Sequence, residues 1–175
     1  YDSYNVPFEK SWRDTVLLLG APSLRGPREA KVREVLSPIE DAMGGKVEVD
    51  RNGRFFLRAN GGQMEAALVA EGLRKFAMLA RLISTGVLLE HGYLFWDEPE
   101  TNLNPKLIKV LAQVIVSLAG QGIQIFLATH SIFLIREIAI LTDGSETQAE
   151  SRYFSLAASG DEEVSKLEQG DKIDD

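Results

Sequence analysis

The sequence contains no cysteine, which excludes a disulfide framework, a thiol nucleophile and any cysteine-ligated metal centre. Its two histidines are too few for a histidine-rich metal site. No apolar run approaches the roughly 18 residues of a membrane span, and the N-terminus lacks the basic-then-apolar pattern of a signal peptide. We expect a cytoplasmic protein with no membrane partner.

Basic residues are fewer than acidic residues: 19 lysines and arginines against 26 aspartates and glutamates give a formal net charge of −7. Nucleic-acid binders usually carry a basic patch, so this balance on its own argues against one. The acidic excess is confined to residues 142–175, however, whereas residues 1–141 hold sixteen charges of each sign. The neutral part therefore leaves nucleic acid open as a partner.

A hydrophobic content of 45% in 175 residues is enough for a folded core. Apolar spacing in the first 60 residues predicts helices over 7–20 and 28–43, the second interrupted or restarted at Pro38. Two short strand-like runs, 46–50 and 54–58, then surround an Asn-Gly pair, which is a strong hairpin signal. We expect a helical segment followed by a β-hairpin.

The centre of the chain predicts a βαβ unit. Residues 93–96 and 123–128 are nearly continuous apolar runs, and a helix over 106–118 is expected between them, with Pro105 at its start. Continuous apolar strands in such a unit imply a parallel sheet covered on both faces. Two further helices and a late strand are expected at 71–84, 132–141 and 153–157.

Two adjacent carboxylates, Asp97 and Glu98, follow the first apolar strand. Ligands of parallel sheets bind at the carboxyl ends of strands, and charges there are costly unless they meet a cation or take part in chemistry. In phosphoryl transfer one carboxylate can hold Mg²⁺ while its neighbour orients or deprotonates water. A solvated turn after a core strand is the simpler interpretation of this short pattern.

A second polar group, Thr129-His130-Ser131, follows the next apolar strand. The imidazole of His130 would reach the same sheet edge as the two carboxylates, where it could hydrogen-bond a γ-phosphate or help to hold water. The alternative is a helix N-cap formed by Thr129 or Ser131. The two interpretations are compatible, because Ser131 can cap the helix while His130 points to a ligand.

A third element, Ala70-Glu71-Gly72, precedes the helix predicted over 71–84. A small residue and a glycine at a helix N-terminus leave N–H groups and the positive end of the helix dipole open to phosphate. An ordinary loop-to-helix junction with a glutamate in its first turn explains the same residues.

Taken together, the three elements resemble the C-terminal half of an ABC-type ATPase head, as found in SMC, RecF and OLD-type ATPases and in AAA ATPases of bacterial defence systems. The resemblance covers roughly residues 60–141. It implies a signature loop, a Walker B strand, a D-loop over 98–105 and a switch histidine. The roles it implies are Mg²⁺ binding by Asp97, catalysis by Glu98 and His130, and ATP binding by Ala70, Glu71, Gly72 and Asn104.

The sequence departs from this family in three places. Ala70 replaces the usual serine of the signature loop, and Asn104 stands where relatives often have histidine or aspartate. The phosphate-binding pattern G-x-x-x-x-G-K-[ST] does not occur, and Gly44-Gly45-Lys46 is interpreted as a turn entering the hairpin. We therefore expect the chain, which begins at Tyr1, to be the last part of a longer ATPase whose sheet is completed by its other half or by another chain.

The predicted fold class is α/β: a partial P-loop NTPase of the ABC type, with a mainly parallel sheet flanked by helices and a small N-terminal helical segment and β-hairpin. Residues 1–60 form that segment and hairpin. Residues 61–141 form the ATPase half, and residues 142–175 form an acidic strand and tail.

The function implied by the resemblance is Mg²⁺-dependent ATP hydrolysis by a head-to-head homodimer, in DNA repair or phage defence. The chain alone is expected to bind ATP and Mg²⁺ weakly or not at all and to be inactive. The alternative is a non-catalytic, truncated ATPase module that serves dimerisation or regulation. Ala70 and the missing phosphate-binding loop favour this alternative modestly.

Overall fold

Helices and strands form two groups, which divide between Tyr93 and Leu94. The computed structural model describes residues 10–27, 29–50, 54–59, 61–65, 69–88, 92–143, 149–158 and 165–170. The first group comprises α1 (Lys10–Gly20), α2 (Glu29–Met43), β1 (Gly45–Val49), β2 (Phe55–Ala59), β3 (Gly62–Glu65) and α3 (Glu71–Ser84). From the division onwards follow β4 (Tyr93–Asp97), α4 (Pro105–Gly120), β5 (Gln124–Ala128), α5 (Ile132–Asp143), β6 (Tyr153–Ala158) and β7 (Ser165–Gly170). The predicted α/β class is confirmed.

The first three strands form an antiparallel sheet in the order β1-β2-β3. The predicted hairpin is confirmed, since β1 and β2 pair from Gly45↔Ala59 to Val49↔Phe55. Its predicted turn, residues 51–53, lies outside the described residues. The sequence did not predict β3, because its four residues are all exposed and carry no alternation of apolar and polar side chains.

α2 continues through Pro38, so the predicted break or restart at this residue is wrong. A proline inside a helix removes one backbone donor and crowds the preceding turn. Burial offsets that cost: Val35 and Ile39 are 1% and 0% exposed, and each fully buried aliphatic side chain contributes about 1.5–3 kcal/mol. The helix is followed by Gly44, whose φ of 68° is the left-handed geometry that often ends helices.

The ends of α1 and α3 agree with the sequence pattern. α1 ends at Gly20 and α3 runs from Glu71 to Ser84, as predicted. The residues expected to begin the first two helices, Pro7 and Arg28, lie outside the described residues.

Arg81 of α3 is a buried cation, with 5% of its surface exposed. Its guanidinium donates to the backbone carbonyls of Leu19 and Ala21 at 2.7–3.2 Å and to the hydroxyls of Ser23 and Ser84. Carbonyls at the C-terminal end of a helix lack intrahelical partners and carry partial negative charge. Burial lowers the pKa of Arg81, yet arginine stays charged at neutral pH. Arg81 therefore anchors α3 to the end of α1.

β4, α4 and β5 form the predicted βαβ unit, with the two strands adjacent in one sheet. The strands are parallel, as a strand–helix–strand crossover requires. α4 begins at Pro105, as predicted, and ends at Gly120. Its N-cap is Asn104, whose side-chain oxygen accepts the backbone N–H of Leu107 at 3.0 Å. α5 follows β5 and packs against α4.

One face of the β4–β5 sheet is exposed, so the prediction that both faces are covered is wrong for this chain. Exposed and half-buried residues alternate along both strands. Phe95 is 73% exposed and stacks on Phe126, with ring centroids 4.6 Å apart. A continuous apolar run is typical of strands covered on both faces, but here Leu94 and Trp96 are the half-buried residues of β4 and their neighbours face solvent.

β6 and β7 form an antiparallel hairpin near the C-terminus, paired from Tyr153↔Gly170 to Ala158↔Ser165. β6 confirms the strand predicted over 153–157. The sequence did not predict β7, because its mostly polar residues resemble a solvated terminus. Within the described ranges, no helix combines the length and the apolar character needed to cross a membrane.

Replacing Arg81 with Met should lower the free energy of unfolding by about 2–5 kcal/mol, because the carbonyls of Leu19 and Ala21 lose their donors and each unpaired buried group costs about 1–3 kcal/mol. Urea denaturation followed by circular dichroism measures the effect. The control is Arg74→Met at an exposed position of the same helix, where we expect a change below about 0.5 kcal/mol. Equal effects of the two substitutions would contradict the anchoring role.

Replacing Asn104 with Ala should lower the free energy of unfolding by about 1 kcal/mol, the usual cost of losing a side-chain N-cap. Asn104→Asp keeps a capping oxygen and should retain the stability of the wild type. Thermal or urea denaturation of the three proteins tests this expectation. If the Ala variant proved as stable as the Asp variant, Asn104 would not stabilise α4.

Candidate functional site

The predicted catalytic residues lie at the ends of two neighbouring parallel strands. Asp97 ends β4 and Glu98 follows it, whereas His130 lies two residues after Ala128, the end of β5. At this edge Nδ1 of His130 is 3.1 Å from Oε1 of Glu98, and the two side chains are 79% and 48% exposed. The expected juxtaposition of Glu98 and His130 is therefore present, with the exposed Asp97 next to Glu98 in the chain.

The backbone of Glu98 is held in an unusual conformation. Its φ of 43° is left-handed, which costs a non-glycine residue about 1–2 kcal/mol. Its N–H donates to the carbonyl of Ala128 at 2.8 Å, which extends the contact between the strands one residue beyond β4. The hydroxyl of Thr101 donates to Oε2 of Glu98 at 3.1 Å. Strain of this kind persists where the surroundings fix it, and it is common at functional sites.

A second pair, the buried Glu100 and the half-buried Thr129, joins the same two loops, and sequence reasoning missed it. The hydroxyl of Thr129 donates to Oε1 of Glu100 and accepts the backbone N–H of Ser131 at 3.0 Å. Glu100 is only 7% exposed, and its Oε2 has no hydrogen-bond partner among the described residues. A third carboxylate after β4 and a hydroxyl next to His130 were visible in the sequence, but their contact depends on tertiary structure.

The predicted helix cap at Ser131 is present together with the exposed imidazole. The Oγ of Ser131 accepts the backbone N–H of Leu134 at 3.3 Å, at the start of α5. His130 remains accessible, so the two interpretations of this segment are both compatible with the structure.

The residues of the expected signature loop lie at the start of α3. Ala70 is the N-cap residue and makes no side-chain capping bond. Ala70 and Glu71 are exposed, whereas Gly72 is buried. These residues belong to the first group of elements, and Glu98 and His130 belong to the second.

The carboxylates at the strand ends fit Mg²⁺ only if phosphate oxygens and water supply its other ligands. In the part of the chain that the structure describes, no three acidic or histidine side chains form a cluster that could hold a metal ion. Mg²⁺ commonly keeps several waters and takes one or two carboxylates together with substrate phosphates. The exposed carboxylate of Asp97 is compatible with that coordination.

Replacing Glu98 with Gly should give a chain about 1 kcal/mol more stable than replacing it with Ala. Both variants lose the same side-chain contacts, but only glycine adopts a φ near 43° without strain. The matched control is the same pair of substitutions at Glu34, an exposed position in α2, where Ala should be more stable by about 0.5–1 kcal/mol. Urea denaturation measures the free energies of unfolding of the four variants. A more stable Ala variant at position 98 would show that the backbone there is unstrained.

Comparison with known families gives a match over most of the chain. A model of the family described as "AAA domain, putative AbiEii toxin, Type IV TA system" matches residues 2–136. The matched segment extends into α5 and includes all the candidate site residues.

Two curated proteins have related sequences. An uncharacterised protein of Methanocaldococcus jannaschii is 27% identical over 106 residues, which are 60% of this chain and 89% of that protein. A Listeria monocytogenes protein called "Putative ABC transporter ATP-binding protein" is 37% identical over 67 residues, which are 36% of this chain and 25% of that protein. The similarity to the Listeria protein thus spans a quarter of its length.

Solved structures share the fold at low sequence identity. A structure from work on ATP-driven dimerization and DNA-stimulated activation of SMC ATPases matches with a TM-score of 0.58 at 11% identity, covering 91% of this chain and 87% of that one. The Smc head domain of Pyrococcus furiosus, bound to the C-terminal domain of ScpA, matches with a TM-score of 0.57 at 13% identity, covering 81% of this chain and 34% of that one. The chain therefore belongs to this AAA domain family, and its α/β fold resembles the ABC- and SMC-type ATPase head.

Proposed function

We propose that this chain supplies the metal-binding and water-activating half of an ATP hydrolysis site. The observation that carries the proposal is the contact between Glu98 and His130 at the ends of two parallel strands, with Nδ1 3.1 Å from Oε1. A carboxylate that is accessible yet fixed by its backbone suits general base catalysis, in which geometry comes before pKa. Membership of an AAA domain family supports ATP as the nucleotide.

The three polar residues at the strand ends have distinct roles in this proposal. Asp97 binds Mg²⁺, directly or through water. Glu98 orients the attacking water and accepts its proton, and His130 donates a hydrogen bond to the γ-phosphate while its contact with Glu98 keeps both groups directed at the same place. Bound Mg²⁺ neutralises charge on the phosphate oxygens.

The phosphate-binding loop comes from polypeptide outside these 175 residues, because no G-x-x-x-x-G-K-[ST] occurs in them. That loop supplies the backbone N–H groups and the lysine that hold the β- and γ-phosphates. This chain on its own therefore binds ATP and Mg²⁺ weakly or not at all and hydrolyses little or no ATP.

A second copy completes the site in a head-to-head dimer. Ala70 makes no side-chain capping bond at the start of α3, and helix N-termini bind phosphate through their first-turn N–H groups. Ala70, Glu71 and Gly72 thus close over the partner's nucleotide through backbone donors, without the hydroxyl that a serine would add. The exposed Asn104 lies near the nucleotide at the start of α4. ATP-driven dimerization is described for the SMC relative, and we extend it to this chain.

Our proposal for the biological output rests on the relatives alone. The family description refers to a type IV toxin–antitoxin system, and the SMC study refers to DNA-stimulated activation. We extend both to the complete protein as phage defence or DNA repair. The balanced charge of residues 1–141 is compatible with nucleic acid as a partner.

A non-catalytic role in dimerisation or regulation is the second candidate. Ala70 favours it, because the signature hydroxyl that would contact the γ-phosphate is missing. In that case the fold would keep the contact between Glu98 and His130 without turnover. ATP titration of the chain, alone and extended by its natural upstream sequence, is the first test: the ATPase requires tight binding that appears with the extension, and turnover by the extended protein then separates the two candidates.

In the protein that carries the phosphate-binding loop, Glu98→Gln should lower kcat for ATP hydrolysis by about 10²–10⁴-fold, the usual contribution of a general base. The amide keeps the size of the side chain, so the Kd for Mg²⁺·ATP should change by less than about threefold. Steady-state turnover and nucleotide titration measure the two quantities.

The matched control for this substitution is Glu34→Gln, which removes a charge at an exposed position of α2 and should leave kcat unchanged. Wild-type turnover in the Glu98→Gln variant would contradict the assignment of Glu98 as the base. A wild-type protein that binds Mg²⁺·ATP tightly but never hydrolyses it would favour the non-catalytic role.

A further inference from the structure

Two pairs of side chains join the loops that follow β4 and β5, one exposed and one partly buried. Glu98 and His130 form the exposed pair, with 3.1 Å between Oε1 and Nδ1. Glu100 and Thr129 form the partly buried pair, in which the hydroxyl donates to Oε1 of the carboxylate. Each member of the partly buried pair lies within two positions of its exposed counterpart in the same loop, so the two contacts are linked through short backbone segments.

The first of these segments, in the loop after β4, is held by backbone hydrogen bonds of its own and is partly buried. The backbone N–H of Thr101 donates to the carbonyl of Glu98 at 3.2 Å, and that of Leu103 donates to the carbonyl of Glu100 at 2.9 Å. Pro99, between the two glutamates, is fully buried and has a restricted φ. A displacement of Glu100 therefore moves Glu98 as well.

The second segment is held on both sides of His130. The hydroxyl of Thr129 accepts the N–H of Ser131 at 3.0 Å, so its own proton is directed to Glu100. Ser131 in turn caps α5 through Leu134. The backbone of His130 thus lies between two anchored residues. The side-chain bond from Thr129 to Glu100 connects this anchor to the loop after β4, in addition to the backbone bond from Glu98 to the carbonyl of Ala128.

We propose that Glu100 and Thr129 are positioning residues, whose partly buried hydrogen bond keeps the carboxylate of Glu98 and the imidazole of His130 in contact. A hydrogen bond to a carboxylate is about twice as strong as one between neutral groups, and the burial of Glu100 limits the access of competing water. The effect on turnover rests on the proposed function, whereas the effect on the geometry of His130 does not.

The geometric part is tested by ¹⁵N NMR of the histidine side chains in the 175-residue chain, without nucleotide. The sequence has two histidines, so His91→Asn assigns the signals of His130. Thr129→Val keeps the size of the side chain but removes the hydroxyl. We expect it to move the Nδ1 signal of His130 towards that of Glu98→Ala, in which the contact is absent. Thr129→Ser keeps the hydroxyl and should restore the wild-type signal.

A wild-type His130 signal in folded Thr129→Val would overturn the proposal. Should the Val variant fail to fold, Glu100→Gln provides the second test, because a neutral amide oxygen of similar shape accepts the hydroxyl more weakly. This variant should shift the His130 signal in the same direction by a smaller amount. An unshifted signal there would overturn the proposal equally.

The kinetic part uses the protein that carries the phosphate-binding loop. Thr129→Val should lower kcat by about 10- to 100-fold, as is usual when a residue that orients a catalytic group is lost, with KM for ATP changed by less than about threefold. Thr129→Ser should recover most of kcat. A shifted His130 signal with unchanged kcat would contradict the proposed function and support the positioning role, whereas an unshifted signal contradicts the positioning role whatever kcat does.

Discussion

The backbone hydrogen bond from Glu98 to the carbonyl of Ala128 is the contact on which the candidate site depends. It holds the loop after β4 against the end of β5 at the point where the chain turns into a left-handed conformation. Because this turn brings the carboxylate of Glu98 into contact with His130, backbone pairing between two strands determines the position of two side chains.

Around this contact, the residues that are proposed to take part in the chemistry are exposed, and the residues that support them are buried. Glu98 and His130 are accessible to solvent, whereas Pro99 and Glu100 are buried. Two helices, α4 and α5, begin directly after the same loops, and their N-termini are capped by Asn104 and Ser131. The positive end of a helix dipole favours nearby anions, and both helix N-termini follow the loops of the candidate site in the chain.

The sequence predicted those features that depend on local chemistry or on strand order. The range of α3, the start of α4 at Pro105 and the location of Glu98 and His130 at one sheet edge all follow from helix signals and from the rule that parallel strands end at the same edge. Features that depend on tertiary packing were either not predicted or predicted wrongly. Pro38 lies inside a continuous helix because its neighbours are buried, and β3 pairs through its backbone although its side chains carry no pattern.

The burial of individual side chains was the property that the sequence predicted least well. The run that contains Phe95 is continuous and apolar, yet the structure exposes one face of the strand. Glu100 is the opposite case, a charged residue that is buried beside Thr129 and whose burial no sequence pattern predicted. In both cases the composition of a segment was visible, but which side chains face the core depends on elements distant in sequence.

The central claim, that Asp97, Glu98 and His130 face a metal-bound nucleotide, is tested most directly by paramagnetic relaxation. Mn²⁺ replaces Mg²⁺ in many nucleotide sites and broadens the NMR signals of nearby nuclei. In the protein that carries the phosphate-binding loop, Mn²⁺·ATP should broaden the imidazole signals of His130, and Asp97→Asn should prevent the broadening. Sharp His130 signals in the presence of tightly bound Mn²⁺·ATP would contradict the account.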